Sequence, residues 1–308
     1  MKFLSIKNSS LLLAVSILCA GCAGSVKTDN NQEQAKDTIV EAPQQLDPNR
    51  AALVKVNNRL FNVPSPLQLA GMFKKFNLPY RAELLNSVNK RSDYTTTFKQ
   101  ALNVGVYGAD LGYINVYEQL PDAAAYFGAI RVLTQDLGIL NSFSENTMKR
   151  IENNNGNKDS LLYIASLIYR DSDSYLMGSD RSEVGALIIA GGWLEGLYLL
   201  TNISNVDDMK YKQLQMIGQQ KYPLNNLIDL LRPFYGKMGK EYDSFLDKLS
   251  DIASIYDSIE VKYNFMPAQT DEEAKTTTIL CETRVMIDKA QVKIIADKVA
   301  KLRQDIIN

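Results

Sequence analysis

The chain contains no histidine, and that one absence removes both the commonest metal ligand and the commonest general base at neutral pH. Most hydrolytic and zinc chemistries have nothing to start from here. Cysteine is scarce as well: of three residues, Cys19 and Cys22 lie in the leader and Cys281 stands alone. No disulfide framework can form. Without an imidazole to activate its thiol, Cys281 reads as a small buried hydrophobe. There is no excess of either charge, since 34 Lys and Arg meet 35 Asp and Glu. This balance excludes the basic surface that marks nucleic-acid binders. Strand-like alternation is missing from most of the chain and is confined to its last 50 or so residues. What the sequence does have is apolar content, 45% over 308 residues, enough to bury a sizeable core.

The first 22 residues have a basic start (Lys2, Lys7), an apolar run from Leu11 to Leu18, and small residues leading into a cysteine, Cys19-Ala20-Gly21-Cys22. This is a secretory signal whose apolar run is too short to span a bilayer. It resembles the bacterial lipoprotein signal, and the resemblance implies that Cys22 is the lipidated first residue of the mature chain. Ala23 does not resemble the Asp that holds some lipoproteins in the inner membrane. The expected address is therefore the outer membrane, and the lack of a dense acidic run after Cys22 favours its periplasmic face. Residues 23–50 turn to Ser, Asn, Gln, Asp and Lys. They read as a flexible tether, which at about 28 residues would span roughly 30 Å.

Residues 51–308 are expected to form a single, mainly α domain: a multi-helix bundle or helical array with a small two-stranded β element near the C-terminus. Its centre is the segment Glu183 to Ile203, EVGALIIAGGWLEGLYLLTNI, apolar on every side and about a membrane's thickness long. Glu195 near its middle would cost about 2.5 to 3.5 kcal/mol in a bilayer, so a core helix is expected rather than a span. Other helices are expected over Leu67 to Phe76 (Ser65 capping, Pro66 at the first position), Ala82 to Ser87, Thr95 to Gln119, Asp122 to Leu137, Glu145 to Asn153, Asp159 to Tyr169, Asp207 to Gln220, Leu224 to Tyr235 and Lys240 to Ser258. Strands are expected over Ile259 to Phe265 and Ile279 to Ile287. Asp288 and Gln291 then make a capping box for a last helix, whose stripe Val292, Ile295, Val299, Leu302 should dock on the protein's own core.

Two helices carry glycines at close spacing, Gly105, Gly108 and Gly112 in one, Gly192 and Gly196 in the other. Each glycine costs about 1 kcal/mol in a helix, which suggests close approach of another backbone. Shifts of 84 or 85 residues superimpose parts of the two segments, so an internal duplication is a further expectation. The strings VPSPLQLA, ALNVGVYGADLGY and LIIAGGWLEGLY together resemble a family of helical lipoproteins from Bacteroidota, over most of the chain from Val63 onward. That resemblance implies the compartment and the helical fold, and it transfers no catalytic residue.

The candidate site residues are Asp110 and Glu195, each an acid inside an apolar helix and each followed three residues later by a tyrosine, Tyr113 and Tyr198; Trp193 lies beside them. Buried carboxylates need partners, which the spacing offers as Tyr113 and Tyr198, or as Arg131 or Arg170 across helices. The group reads as structural hydrogen-bond hubs, as nearly exposed acids on a narrow polar stripe, as the polar floor of a ligand pocket, or as a carboxylate pair for acid-base work. The acidic loop from Asp171 to Glu183 gathers oxygen ligands as a calcium cage would but lacks the EF-hand spacing, and Asp180 and Glu183 are explained equally well as a capping box; no metal or cofactor is expected. The functional expectation is a lipid-anchored, non-catalytic binding or scaffolding domain with an envelope protein as partner. The alternative is a carrier or sensor of a small apolar ligand held between helices.

Overall fold

The computed structural model describes residues 52–56, 59–63, 73, 76–139, 181–271, 276–278 and 282–308. The expected helices at 145–153 and 159–169, Arg170, Asp171 to Asp180, Cys281 and nearly all of the expected helix at 67–76 lie outside these residues, as do the leader and the tether. Two short strands, β1 (Ala52–Val56) and β2 (Arg59–Val63), pair antiparallel. Among the described residues seven α-helices follow: α1 Thr97–Val116, α2 Leu120–Asp136, α3 Ser182–Asn202, α4 Tyr211–Gly218, α5 Lys221–Leu231, α6 Lys240–Asp257 and α7 Lys289–Ile307. Between α6 and α7 come β3 (Glu260–Asn264), β4 (Gln269–Asp271), β5 (Thr276–Thr278) and β6 (Glu282–Met286), with β3 on β6 and β4 on β5, both antiparallel. The domain is mainly α with a small antiparallel element near the C-terminus, as expected.

Local signals explain the boundaries. The Thr96 hydroxyl caps α1 by accepting from the Lys99 N–H at 3.2 Å. Pro121 sits in the first turn of α2, where its missing N–H costs nothing. Gly138 closes that helix at φ +71°, with the Ile139 N–H reaching back to the Thr134 carbonyl. The capping box of α7 is fully made, Gln291 N–H to Asp288 Oδ1 at 2.8 Å and Asp288 N–H to Gln291 Oε1 at 3.0 Å. The stripe Val292, Ile295, Val299, Leu302 is buried.

Several expectations need correction. The helix expected at Ala82 to Ser87 is instead two 3-10 turns, Ala82–Leu84 and Val88–Asp93. The helix expected from Asp207 starts only at Tyr211, after a separate 3-10 turn. The N-cap of α3 is Arg181, which makes no side-chain cap bond; Asp180, the first acid of the expected capping box, lies outside the described residues. The β1–β2 pair was not expected at all.

α3 is the core helix. By length and apolarity it would suffice to cross a membrane, yet it is buried almost throughout inside the domain. Its main partner is α1, with α7 packed across it and α2 against α1. The two helices meet backbone to backbone. A β-carbon placed on Gly105 would overlap the carbonyl oxygen of Ile188, and one placed on Gly191 would overlap that of Leu102. The contact is reciprocal at an offset of 86 residues, and it falls on Gly105 and Gly191, with the Gly192 nitrogen alongside. Gly105→Ala or Gly191→Ala should therefore destabilise. Because the obstacle in each case is backbone, the cost lies at the upper end of the range of about 1 to 3 kcal/mol for inserted bulk and outweighs the roughly 1 kcal/mol gained by removing a helical glycine. Denaturant unfolding is the measurement, and a variant with the wild-type midpoint would show that the helices do not touch there.

A buried carboxyl pair as the candidate functional site

About one turn beyond the glycine crossing, α1 presents Asp110 and α3 presents Glu195, and both are 0% exposed. Neither acid is served by its own tyrosine. The Tyr113 hydroxyl accepts from the Arg81 N–H at 3.0 Å, and its ring stacks on Tyr80 and meets Phe73 edge-on. Tyr198 contributes its ring, whose centroid lies 4.0 Å from the Arg303 guanidinium carbon. The cation that answers Glu195 is thus Arg303 of α7 rather than Arg131; Arg170 lies outside the described residues. Arg303 Nε donates to Glu195 Oε2 at 2.6 Å and Nη2 to Oε1 at 2.8 Å, a bidentate fork. Nη2 also donates to the Leu84 carbonyl at 2.9 Å. Arg303 itself is only 6% exposed.

Asp110 completes the group. Its Oδ2 accepts from the Asn86 N–H at 3.1 Å, two residues from the Leu84 carbonyl that takes Arg303 Nη2, so Asp110 and the Glu195–Arg303 fork are fastened to the same turn. Burial, followed by the charge of Glu195, raises the Asp110 pKa well above the carboxylate range, and Arg303 offsets this only in part. For Arg303, burial pulls the pKa down, but the Glu195 carboxylate more than reverses it, so the guanidinium stays charged.

Around the acids an amide and tyrosine network fastens the segment before α1 to the end of α7. Asn86 Nδ2 donates to Tyr94 Oη at 2.9 Å and to Asn103 Oδ1 at 3.2 Å. Asn103 Nδ2 donates to the Ile306 carbonyl at 2.8 Å, and the Tyr94 hydroxyl to the Ile307 carbonyl at 3.3 Å. Tyr107 donates to the Ser87 carbonyl at 2.9 Å. Trp193 stands apart from this network: it is fully buried in the core, and its Nε1–H donates to Gln220 Oε1 at 3.2 Å.

No family model, curated protein or solved structure matches this chain. The site must therefore be read from its geometry. A carboxyl pair sealed from water and forked to a guanidinium can hold helices together, but it cannot meet a substrate without the core opening. Among the described residues, no cluster of three or more His, Cys, Asp or Glu could hold a metal ion.

Of the network, sequence reasoning named Asp110, Glu195 and Tyr198 and missed Arg303, Asn86, Asn103, Tyr94 and Tyr107. A signal for Arg303 existed. It lies four residues after Val299 and three before Ile306, on the apolar stripe of α7 where a cation is out of place. Arg303→Met should cost about 3 to 5 kcal/mol, because it strands the Glu195 charge in the core. Chemical denaturation measures it, and a loss below about 1 kcal/mol would be that of a solvent-exposed pair instead.

Proposed function

We propose that this protein is a lipid-anchored component of the bacterial outer membrane, facing the periplasm, whose helical domain is a non-catalytic binding or scaffolding module for another envelope protein. The observation that carries the non-catalytic reading is the sealing of Asp110, Glu195 and Arg303. The acids best suited to chemistry are committed to one another and to backbone groups. The anchor rests on the basic start, the apolar run and Cys22, and the compartment is supported by the resemblance to helical lipoproteins of Bacteroidota. A ligand held between the glycine-bearing helices gains no such support, since their backbones touch at Gly105 and Gly191.

The binding face that the geometry favours is the C-terminal β arm. Phe265, at the end of β3 in this arm of β3 to β6, is 70% exposed, which leaves a large apolar ring where a partner can cover it. The arm is firmly seated at its base. The Gln215 side-chain amide of α4 accepts from the Val285 N–H at 2.8 Å and donates to the Val285 carbonyl, and the Val285 side chain is buried.

Cys22→Ser should move the protein from the membrane to the soluble fraction with its melting temperature unchanged, because only the acyl chains would hold it there. Retention in membranes after a high-salt wash would end the lipoprotein reading. Phe265→Ser should abolish capture of the partner from solubilised membranes while leaving thermal unfolding within about 0.5 kcal/mol of wild type, as for an exposed position. Equal capture by both forms would move the binding face elsewhere.

A further inference from the structure

The buried charges do not balance if both acids are ionised. Two carboxylates and one guanidinium, at 0%, 0% and 6% exposure, would leave a net negative charge in a dry core, a state that costs several kcal/mol. The hydrogen bonds show which acid departs from ionisation. Both oxygens of Glu195 accept from Arg303. By contrast, Asp110 has one oxygen bonded to the Asn86 N–H, while no donor reaches Asp110 Oδ1. A buried oxygen without a donor, on the acid fastened to the same turn as the Glu195–Arg303 fork, is where an acidic proton resolves both defects.

We propose that Asp110 and Glu195 share one proton, carried on Asp110 Oδ1 and donated to Glu195, so that the pair bears a single negative charge matched by Arg303. The proton is then a structural part of the joint between α1, α3 and α7, and the seating of α7 depends on pH. The groups facing Asp110 from each neighbouring element leave this proton as the one that titrates. α3 brings Glu195 and α7 brings Arg303, while α2, α1 and the segment before α1 bring Tyr126, Tyr107 and Tyr80. Burial raises all three tyrosines above their usual range, so they stay neutral. Arg303 stays charged.

The sign follows from linkage. Asp110 holds its proton more tightly folded than unfolded. Its contribution is fully present below the unfolded value of about 3.9 and is lost as pH rises through the folded value. Across that window the folding constant should fall by up to about tenfold per pH unit. Asp110→Asn keeps the geometry, since its amide N–H can donate to Glu195 while its oxygen accepts from Asn86, and it carries no titrating proton.

Two measurements on the full chain test the proposal. Infrared difference spectra of the wild type at pH 7 should show the carbonyl stretch of a protonated carboxyl that shifts on isotopic labelling of aspartate. That band should vanish in Asp110→Asn. It should vanish also in Glu195→Gln, where Asp110 ionises to become the counter-ion of Arg303. Unfolding measured from pH 4 to pH 10 should show a steeper loss on the alkaline side for the wild type than for Asp110→Asn. Absence of the band at pH 7, a band that shifts on glutamate labelling, or identical pH slopes in the two proteins overturns the proposal. If Asp110→Asn does not fold, the labelled wild-type spectrum decides alone.

Discussion

The fork between Arg303 and Glu195 is the interaction on which the rest of the domain depends. Desolvating a guanidinium and a carboxylate costs more than their attraction returns unless geometry and further hydrogen bonds are near ideal. Both conditions are met: two short bonds of 2.6 and 2.8 Å join the pair, and Nη2 makes a third to the Leu84 carbonyl. Such a pair specifies as much as it stabilises. Once Arg303 is inside, α7 can occupy only the register that brings it to Glu195. The Leu84 turn must come to the same place, because the remaining donor would otherwise be buried without a partner.

Steric permission for that meeting is given by the glycine crossing. Gly105 and Gly191 let α1 and α3 approach until each backbone lies against the carbonyl of the other, at Ile188 and Leu102. Asp110 and Glu195 then follow at about one turn beyond the contact, both fully buried. A larger residue at either glycine would widen the spacing and remove the proximity on which the carboxyl pair rests. The helices pair at an offset of 86, and the two acids at 85.

The same facts show what could be seen in the sequence. α3 was legible because an unbroken apolar run with one acid has few places to go except a core. α7 was legible because its capping box and its stripe are local signals. The C-terminal ladder was legible from the alternation around Val261 and Val285, which pair in register. Arg303 was not assigned, although its place on an apolar stripe was visible. Periodicity says which face of a helix is buried, and nothing about which residue lies opposite across 108 positions of chain. Tyr113 and Tyr198 were named for the right reason and given the wrong task. Helical spacing put them near the acids, but the Tyr113 hydroxyl serves a backbone N–H and the Tyr198 ring supports a cation. The β1–β2 pair was missed because two five-residue strands flanking Asn57-Asn58 carry too little pattern to stand out before a helical domain.

A core built around ions carries a consequence that an apolar core does not. Replacing a buried charge network with well-packed hydrophobic side chains is often neutral or stabilising, so its presence here calls for a reason other than stability. One reason lies in the connectivity. Asn86, Asp110, Glu195 and Arg303 come from four separate elements, and Asn103 and Tyr94 add contacts to the Ile306 and Ile307 carbonyls of α7. Apolar side chains in those places would pack in more than one register, whereas hydrogen bonds of fixed direction allow one. The polar joint holds α7 at the required position, and the short turn after β6 ties α7 to the C-terminal end of the β element.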